Sequence, residues 1–147
     1  GRAHPEFLAR ADALLCVEHV PAKEVRQDSS GSYEITGMPQ QSFLYVSKHP
    51  KLITAARRAF LLQPQPSTVC RHPFLGVPLS DAAGFVASAD EAAGKKDSLP
   101  YISWISAPCY LVDEHDTLDK VDRSRLGSVS QTLAAMIASL MEVRGPL

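Results

Sequence analysis

The sequence predicts an α/β layered domain whose mixed, mostly parallel sheet is flanked by helices, and three observations predict it. Residues 13–17, 43–46 and 101–105 are apolar runs too short for helices, each bounded by turn-forming residues. Continuous apolar runs of that length suit strands buried on both faces. Between and after them lie amphipathic stretches with helical spacing, and strands alternating with helices define layered α/β folds. At 147 residues, 45% of them hydrophobic, the chain is long enough for one domain with a core of its own.

Each element has a local cause. Pro5, after His4, opens a short helix in the first turn, where proline is tolerated, with Phe7, Leu8 and Ala11 on one side. Residues 13–17 form the first strand. Residues 22–37 are polar, carry the turn signal Asp28-Ser29-Ser30-Gly31, and read as a hairpin or a long excursion. The strand at 43–46 leads to a helix over 50–61, with Leu52, Ile53, Ala56 and Phe60 at helical spacing. Gln63-Pro64-Gln65-Pro66 ends that helix. A short strand at 68–71 precedes a loop at 73–81 and a helix over 81–93, for which Ser80 and Asp81 are ready N-caps. Residues 94–98 read as a mobile connection, and the strand at 101–105 carries the lone Trp104 into the core. The last helix, 123–143, is expected to bury Leu126, Val129, Leu133, Met136, Ile137, Leu140 and Met141 before Gly145-Pro146 stops it. The helices starting at Pro50 and Arg123 should cover a sheet in which the three apolar strands are neighbours.

Composition narrows the function classes. A net charge of -1 gives no electrostatic footprint for nucleic acid or an anionic membrane. No apolar run approaches the ~20 residues of a membrane span, and no signal-peptide pattern opens the chain, which reads as cytoplasmic. Cys16, Cys70 and Cys109 are odd in number and lack Cys-x-x-Cys spacing, so buried free thiols are expected rather than a disulfide. His4, His49 and His72 each precede a proline and read as turn residues. Neither a nucleophile elbow nor a glycine-rich phosphate loop is present in the sequence.

In a sheet of this kind, function collects where strands end. Glu18 and His19 follow the first strand directly, as metal-competent side chains or as a strand end turning to solvent. Residues 113–122 are an acidic loop with one imidazole, His115, running into the last helix. Such a loop suits a divalent cation. It also suits a helix start, with Asp122 as N-cap and the acids complementing the helix dipole.

Taken in order, these segments resemble the second half of the catalytic domain of the di-zinc aminopeptidases. That family includes bacterial leucine-type aminopeptidases and glutamate carboxypeptidase-like zinc exopeptidases. Its zinc-binding strand end is matched by Leu14-Leu15-Cys16-Val17-Glu18-His19-Val20, and its Ser-Asp-His-x-x-Phe segment by Ser80-Asp81-Ala82-Ala83-Gly84-Phe85. Leu99-Pro100-Tyr101-Ile102-Ser103 is similar to its Gly-Ile-Pro-type strand, and Asp116-Thr117-Leu118-Asp119 to its Asp-Thr-x-Asp ending. Three departures accompany the match. The family's zinc-binding histidine falls on Val112, with His115 three residues later; Ala82 replaces a frequent histidine; and no Glu-Glu dipeptide, the family's source of a general base, occurs in the chain.

The resemblance implies zinc, with Glu18 and His115 as metal ligands, His19 as a spare donor, and a peptide or small amide as substrate. No catalytic base is assigned. Because a catalytic zinc needs about three protein ligands, the expectation is residues 1–147 as the C-terminal portion of a larger zinc peptidase-like domain, inactive alone and prone to form a homo-oligomer through its uncovered site edge. A non-catalytic binding or assembly module of the same fold, and an unrelated α/β module, are the other two readings. Glu18 and the loop at 112–116 should lie at the same end of the sheet, and carboxylates gathered there without a cation should raise at least one pKa.

Overall fold

A computed structural model, describing residues 5–71, 80–111 and 113–142, gathers the three apolar runs into one four-stranded sheet. The strands are β1 (Leu14–Glu18), β4 (Ser42–Val46), β5 (Thr68–Arg71) and β6 (Tyr101–Ser106). Their order is β1-β6-β4-β5, with β1–β6 and β4–β5 parallel and β4–β6 antiparallel. The sheet is therefore mixed and mostly parallel. The excursion after β1 is an antiparallel hairpin of β2 (Lys23–Gln27) and β3 (Tyr33–Pro39), separate from the main sheet. Asp28 closes its turn by accepting from the Ser30 and Ser32 amides at 2.8 and 2.9 Å.

Two faces of the sheet receive different helices. Alternation along β4 and β6 puts Leu44, Ile102 and Trp104 on one face, where they form the main core with Leu52, Ala56 and Ala59 of α2 (Pro50–Leu62) and Val129 and Met136 of α4 (Leu126–Glu142). Trp104 is fully buried, its ring 5.2 Å from that of Phe60, and its indole N–H donates to Ser42 Oγ at 3.1 Å. On the other face, Leu8 of α1 (Pro5–Leu8), Ala89 of α3 (Asp81–Ala93) and Leu99 form a smaller cluster against Leu14. Helices on both faces make three layers.

The helix ends follow their local chemistry. Ser80 is the N-cap of α3 and accepts from the Ala82 amide at 3.2 Å, as Ser80-Asp81 foretold. Gly94 ends α3 in the left-handed conformation with φ 62°, where a side chain would be strained. Asp90 then ties the connection at 94–98 back to α3 by accepting from the amides of Asp97 and Ser98.

Several expectations need correcting. Of the three residues expected on one side of the first helix, Phe7 is 71% exposed and Leu8 is buried, with Ala11 half-buried. Leu126, Ile137 and Met141 are exposed on α4, because Thr132 and Ser139 occupy its buried stripe in their place. Thr132 earns that position through hydrogen bonds: its Oγ accepts from Gln65 Nε2 at 2.9 Å and donates to the Ser128 carbonyl. The last helix begins with a 3-10 turn over Arg123–Arg125, and the Asp122 side chain does not cap it, accepting instead from Ser124 Oγ at 2.6 Å. All three cysteines are free, but Cys70 and Cys109 are exposed rather than buried. His4, His72, Val112, the loop positions 73–79 and the Gly145-Pro146 stop lie outside the described residues. No described helix is long and apolar enough to cross a membrane.

Candidate functional site

Parallel pairing brings the carboxyl ends of β1 and β6 together, and the chemistry-bearing loops meet there. β6 is buried, but β1 is an edge strand, half-buried with Val17 exposed, and not the strand buried on both faces that its apolar run predicted. Glu18 is the last residue of β1. Its Oε1 accepts from the Asp81 amide at 3.0 Å, at the start of α3, and from the Cys16 thiol at 3.0 Å. A carboxylate at a helix start is stabilised by the unpaired amides and the positive end of the dipole. Burial, reinforced by the Glu18 hydrogen bond and charge, pushes the Cys16 thiol up to about 12, so it stays protonated and unreactive at neutral pH.

His19 follows in the left-handed region, with φ 51°. This conformation is uncommon outside glycine and asparagine. Ser106 Oγ, at the end of β6, donates to the His19 carbonyl at 2.5 Å and fixes the turn. The imidazole thereby swings to the acidic loop, where Nε2 lies 3.2 Å from Asp116 Oδ2, both side chains about one-third exposed. Glu18 and the 113–116 stretch thus stand at one end of the sheet, as the sequence pattern required, with His19 as the link.

His115 goes elsewhere. Its Nδ1 sits 2.5 Å from Asp113 Oδ1, and its ring lies 4.8 Å from that of Tyr33 on the hairpin. Tyr33 in turn donates to Asp113 at 3.4 Å. Beyond it, Thr117 and Asp119 are held by Lys120, a buried residue whose ammonium donates to Thr117 Oγ at 3.1 Å and lies 5.6 Å from the Tyr110 ring centre. Lys23 on β2 adds a bond to the Asp119 carbonyl at 2.6 Å. Much of the loop's polarity is therefore consumed within the loop itself, while Tyr33 and Lys23 tie it to the hairpin.

The acids that titrate abnormally here move down rather than up. The His115 amide and ring hold the Asp113 carboxyl below its ordinary range, and the Thr117 hydroxyl does the same for Asp119. Repulsion between crowded carboxylates was the wrong expectation for these two, because each has its own donors.

Zinc can be weighed against this donor set. Among the described residues, no three His, Cys, Asp or Glu side chains are grouped as a metal site would need. Glu18 serves α3 and Cys16, His115 serves Asp113, and Ala82 is fully buried where a histidine would need room. Phe85, which the resemblance places beneath the site, is 39% exposed. The described residues do not fit a zinc held by this chain alone. What sequence reasoning ranked too low was His19. Its signal was the imidazole directly after an apolar strand, but its left-handed turn toward Asp116 depends on Ser106, a partner 87 residues away. No family model matches the chain, and neither a curated protein nor a solved structure matches it.

Proposed function

We propose that this chain contributes one wall of a zinc-exopeptidase-like hydrolase site, acting on a peptide or small amide bond, and that it does not hydrolyse such bonds by itself. The contact of His19, the residue directly after Glu18 at the end of β1, with Asp116 supports this reading. A strand end carrying an acid beside an Asp-Thr-x-Asp loop is what such a site would draw on. Zinc would need donors beyond the described residues, so no catalytic step is assigned to Glu18, His19 or His115.

A second reading, a non-catalytic binding or assembly module of the same fold, draws support from Ala82 and Glu18. A fully buried alanine leaves no room for the family's histidine, and Glu18 already has two hydrogen-bond donors. Competition for zinc against a chromophoric chelator, on wild type, Glu18→Gln, His19→Ala and His115→Ala, separates the two. The hydrolase-wall reading expects weak zinc binding lowered by Glu18→Gln. Binding that is absent, or indifferent to all three substitutions, supports the non-catalytic module.

A further inference from the structure

β1 ends one side of the four-stranded sheet, and no described strand pairs with its far side. Leu14, Cys16 and Glu18 direct their backbone groups to β6. The Leu14 amide donates to the Pro100 carbonyl at 2.9 Å, and the ladder alternates from there. The amides and carbonyls of Leu15 and Val17 therefore point away from β6, along the open edge. Such edges are normally guarded by lysine, proline or a bulge. Residues 14–17 have neither of those side chains, and their register against β6 runs without a shift.

α4 adds a second feature beside that edge. Its Thr132 hydroxyl reaches the Gln63 carbonyl and its Glu142 carboxylate lies 3.4 Å from Arg58, which fixes the side that faces α2. Leu126, Ile137 and Met141 stand roughly 120–180° around the helix from Thr132. They lie on the flank turned from α2 toward β1, whose Leu15 shares the core with α4. They are 44%, 46% and 79% exposed, and from Leu126 to Met141 the stripe runs about 22 Å. Glu142 is the sole charged residue of α4, and it sits on the other flank. A surface helix so poor in charge is ordinarily covered.

Charge and layering select the occupant. The α4 flank is neutral, and Glu18, the one charged residue of β1, is already turned to the start of α3. A charged partner finds nothing there to pair with, while a second copy meets the surface without like-charge repulsion. The opposite edge fails that test, because Lys48, Arg57 and Arg71 border the groove beside β5 and would approach their own images. A peptide strand on β1 would leave the α4 stripe bare, and the five residues of β1 fall short of the roughly 20 a side in a stable interface. A second copy related by a two-fold axis extends the sheet with its own β1, antiparallel, and sets its own α4 flank against the first.

We propose that two copies of this chain pair through β1 and the α4 flank. The two four-stranded sheets become one, and Leu126, Ile137 and Met141 form a helix–helix contact across the axis. Nothing in this pairing depends on the hydrolase reading.

Sedimentation velocity and amide exchange by NMR, on the full chain over a concentration series, test the pairing. The expected result is a monomer–dimer equilibrium in which the Leu15 and Val17 amides gain protection with concentration. Those of Leu14 and Cys16, already bonded to β6, should change little. Val17→Pro removes one outward amide where an edge strand tolerates proline, and Ile137→Lys combined with Met141→Lys charges the α4 flank at exposed positions. Each variant should weaken association by about ten-fold or more, whereas Leu61→Lys, exposed on α2, should leave it unchanged. A chain that stays monomeric to about 1 mM, or a dimer indifferent to both the proline and the lysine variants, would overturn the proposal. Protection of Leu15 and Val17 that does not vary with concentration would also overturn it, by showing that the chain covers its own edge. Loss of association in Leu61→Lys alone would move the interface to the β5 side and contradict the charge argument.

Discussion

His19 Nε2 and Asp116 Oδ2 lie 3.2 Å apart across a separation of 97 residues, joining the end of β1 to the acidic loop. The contact exists because His19 takes a left-handed backbone, which directs its ring away from the sheet axis. Without it, residues 113–116 would be tied down chiefly by the hairpin, through Tyr33.

Opposing effects make the His19 substitutions informative. Glycine removes a left-handed penalty of about 1–2 kcal/mol, while the lost contact with Asp116, about one-third exposed, contributes only ~0–1 kcal/mol. His19→Gly should therefore leave the denaturation midpoint nearly unchanged or slightly raised, yet speed amide exchange over 113–117. His19→Val, β-branched and unable to reach Asp116, should be less stable than His19→Gly by at least about 1–2 kcal/mol. Urea titration with hydrogen-exchange mass spectrometry reads both, and equal stability of the glycine and valine variants would contradict the backbone argument.

Thr132 tests the polar seam inside the main core. Its hydroxyl bonds Gln65, itself a buried side chain, so Thr132→Val keeps the shape and strands the Gln65 amide. The expected cost is about 1–3 kcal/mol, the penalty for a buried unsatisfied donor. Thr132→Ser retains the hydroxyl and should cost less. A valine variant as stable as wild type in urea would mean that the Gln65 amide finds another partner.

Much of this architecture was legible because apolar periodicity and turn chemistry are local. The runs ending at Val17, Val46 and Ile105 became β1, β4 and β6 within a residue of their expected ends, and Ser80-Asp81 capped a helix where expected. The buried stripe of α4 was less legible, since Thr132 is buried by virtue of Gln65, from a distant turn. The site suffered most from the same problem. That Glu18 and the acidic loop share one end of the sheet was legible, but an imidazole's direction depends on backbone φ and on partners far along the chain. His115 therefore drew attention that the geometry transfers to His19.

Acid should loosen the His115 clasp. The folded Asp113 carboxyl titrates below its ordinary value, near 3.9 in unfolded chains, because the His115 amide and ring donate to it. A depressed folded pKa means that the stabilisation is present above the unfolded pKa and is lost as pH falls through the folded one. Exchange at the His115 amide should thus rise relative to the rest of the chain below about pH 4, where the ordinary carboxylate begins to protonate. Asp113→Asn should remove the dependence. Persistence of the acid effect in that variant would assign it to another group.

The most direct test of the central claim is turnover by the isolated chain on aminoacyl and dipeptide substrates with zinc added. A metal-bound water becomes a useful nucleophile only when enough ligands hold the metal and a placed base takes the proton. The described residues group no three donors, and the sequence holds no Glu-Glu pair. No hydrolysis above the zinc-only control is expected at any zinc concentration. Robust hydrolysis, abolished both by chelator and by Glu18→Gln, would contradict it and place a complete metal site and its base within this chain.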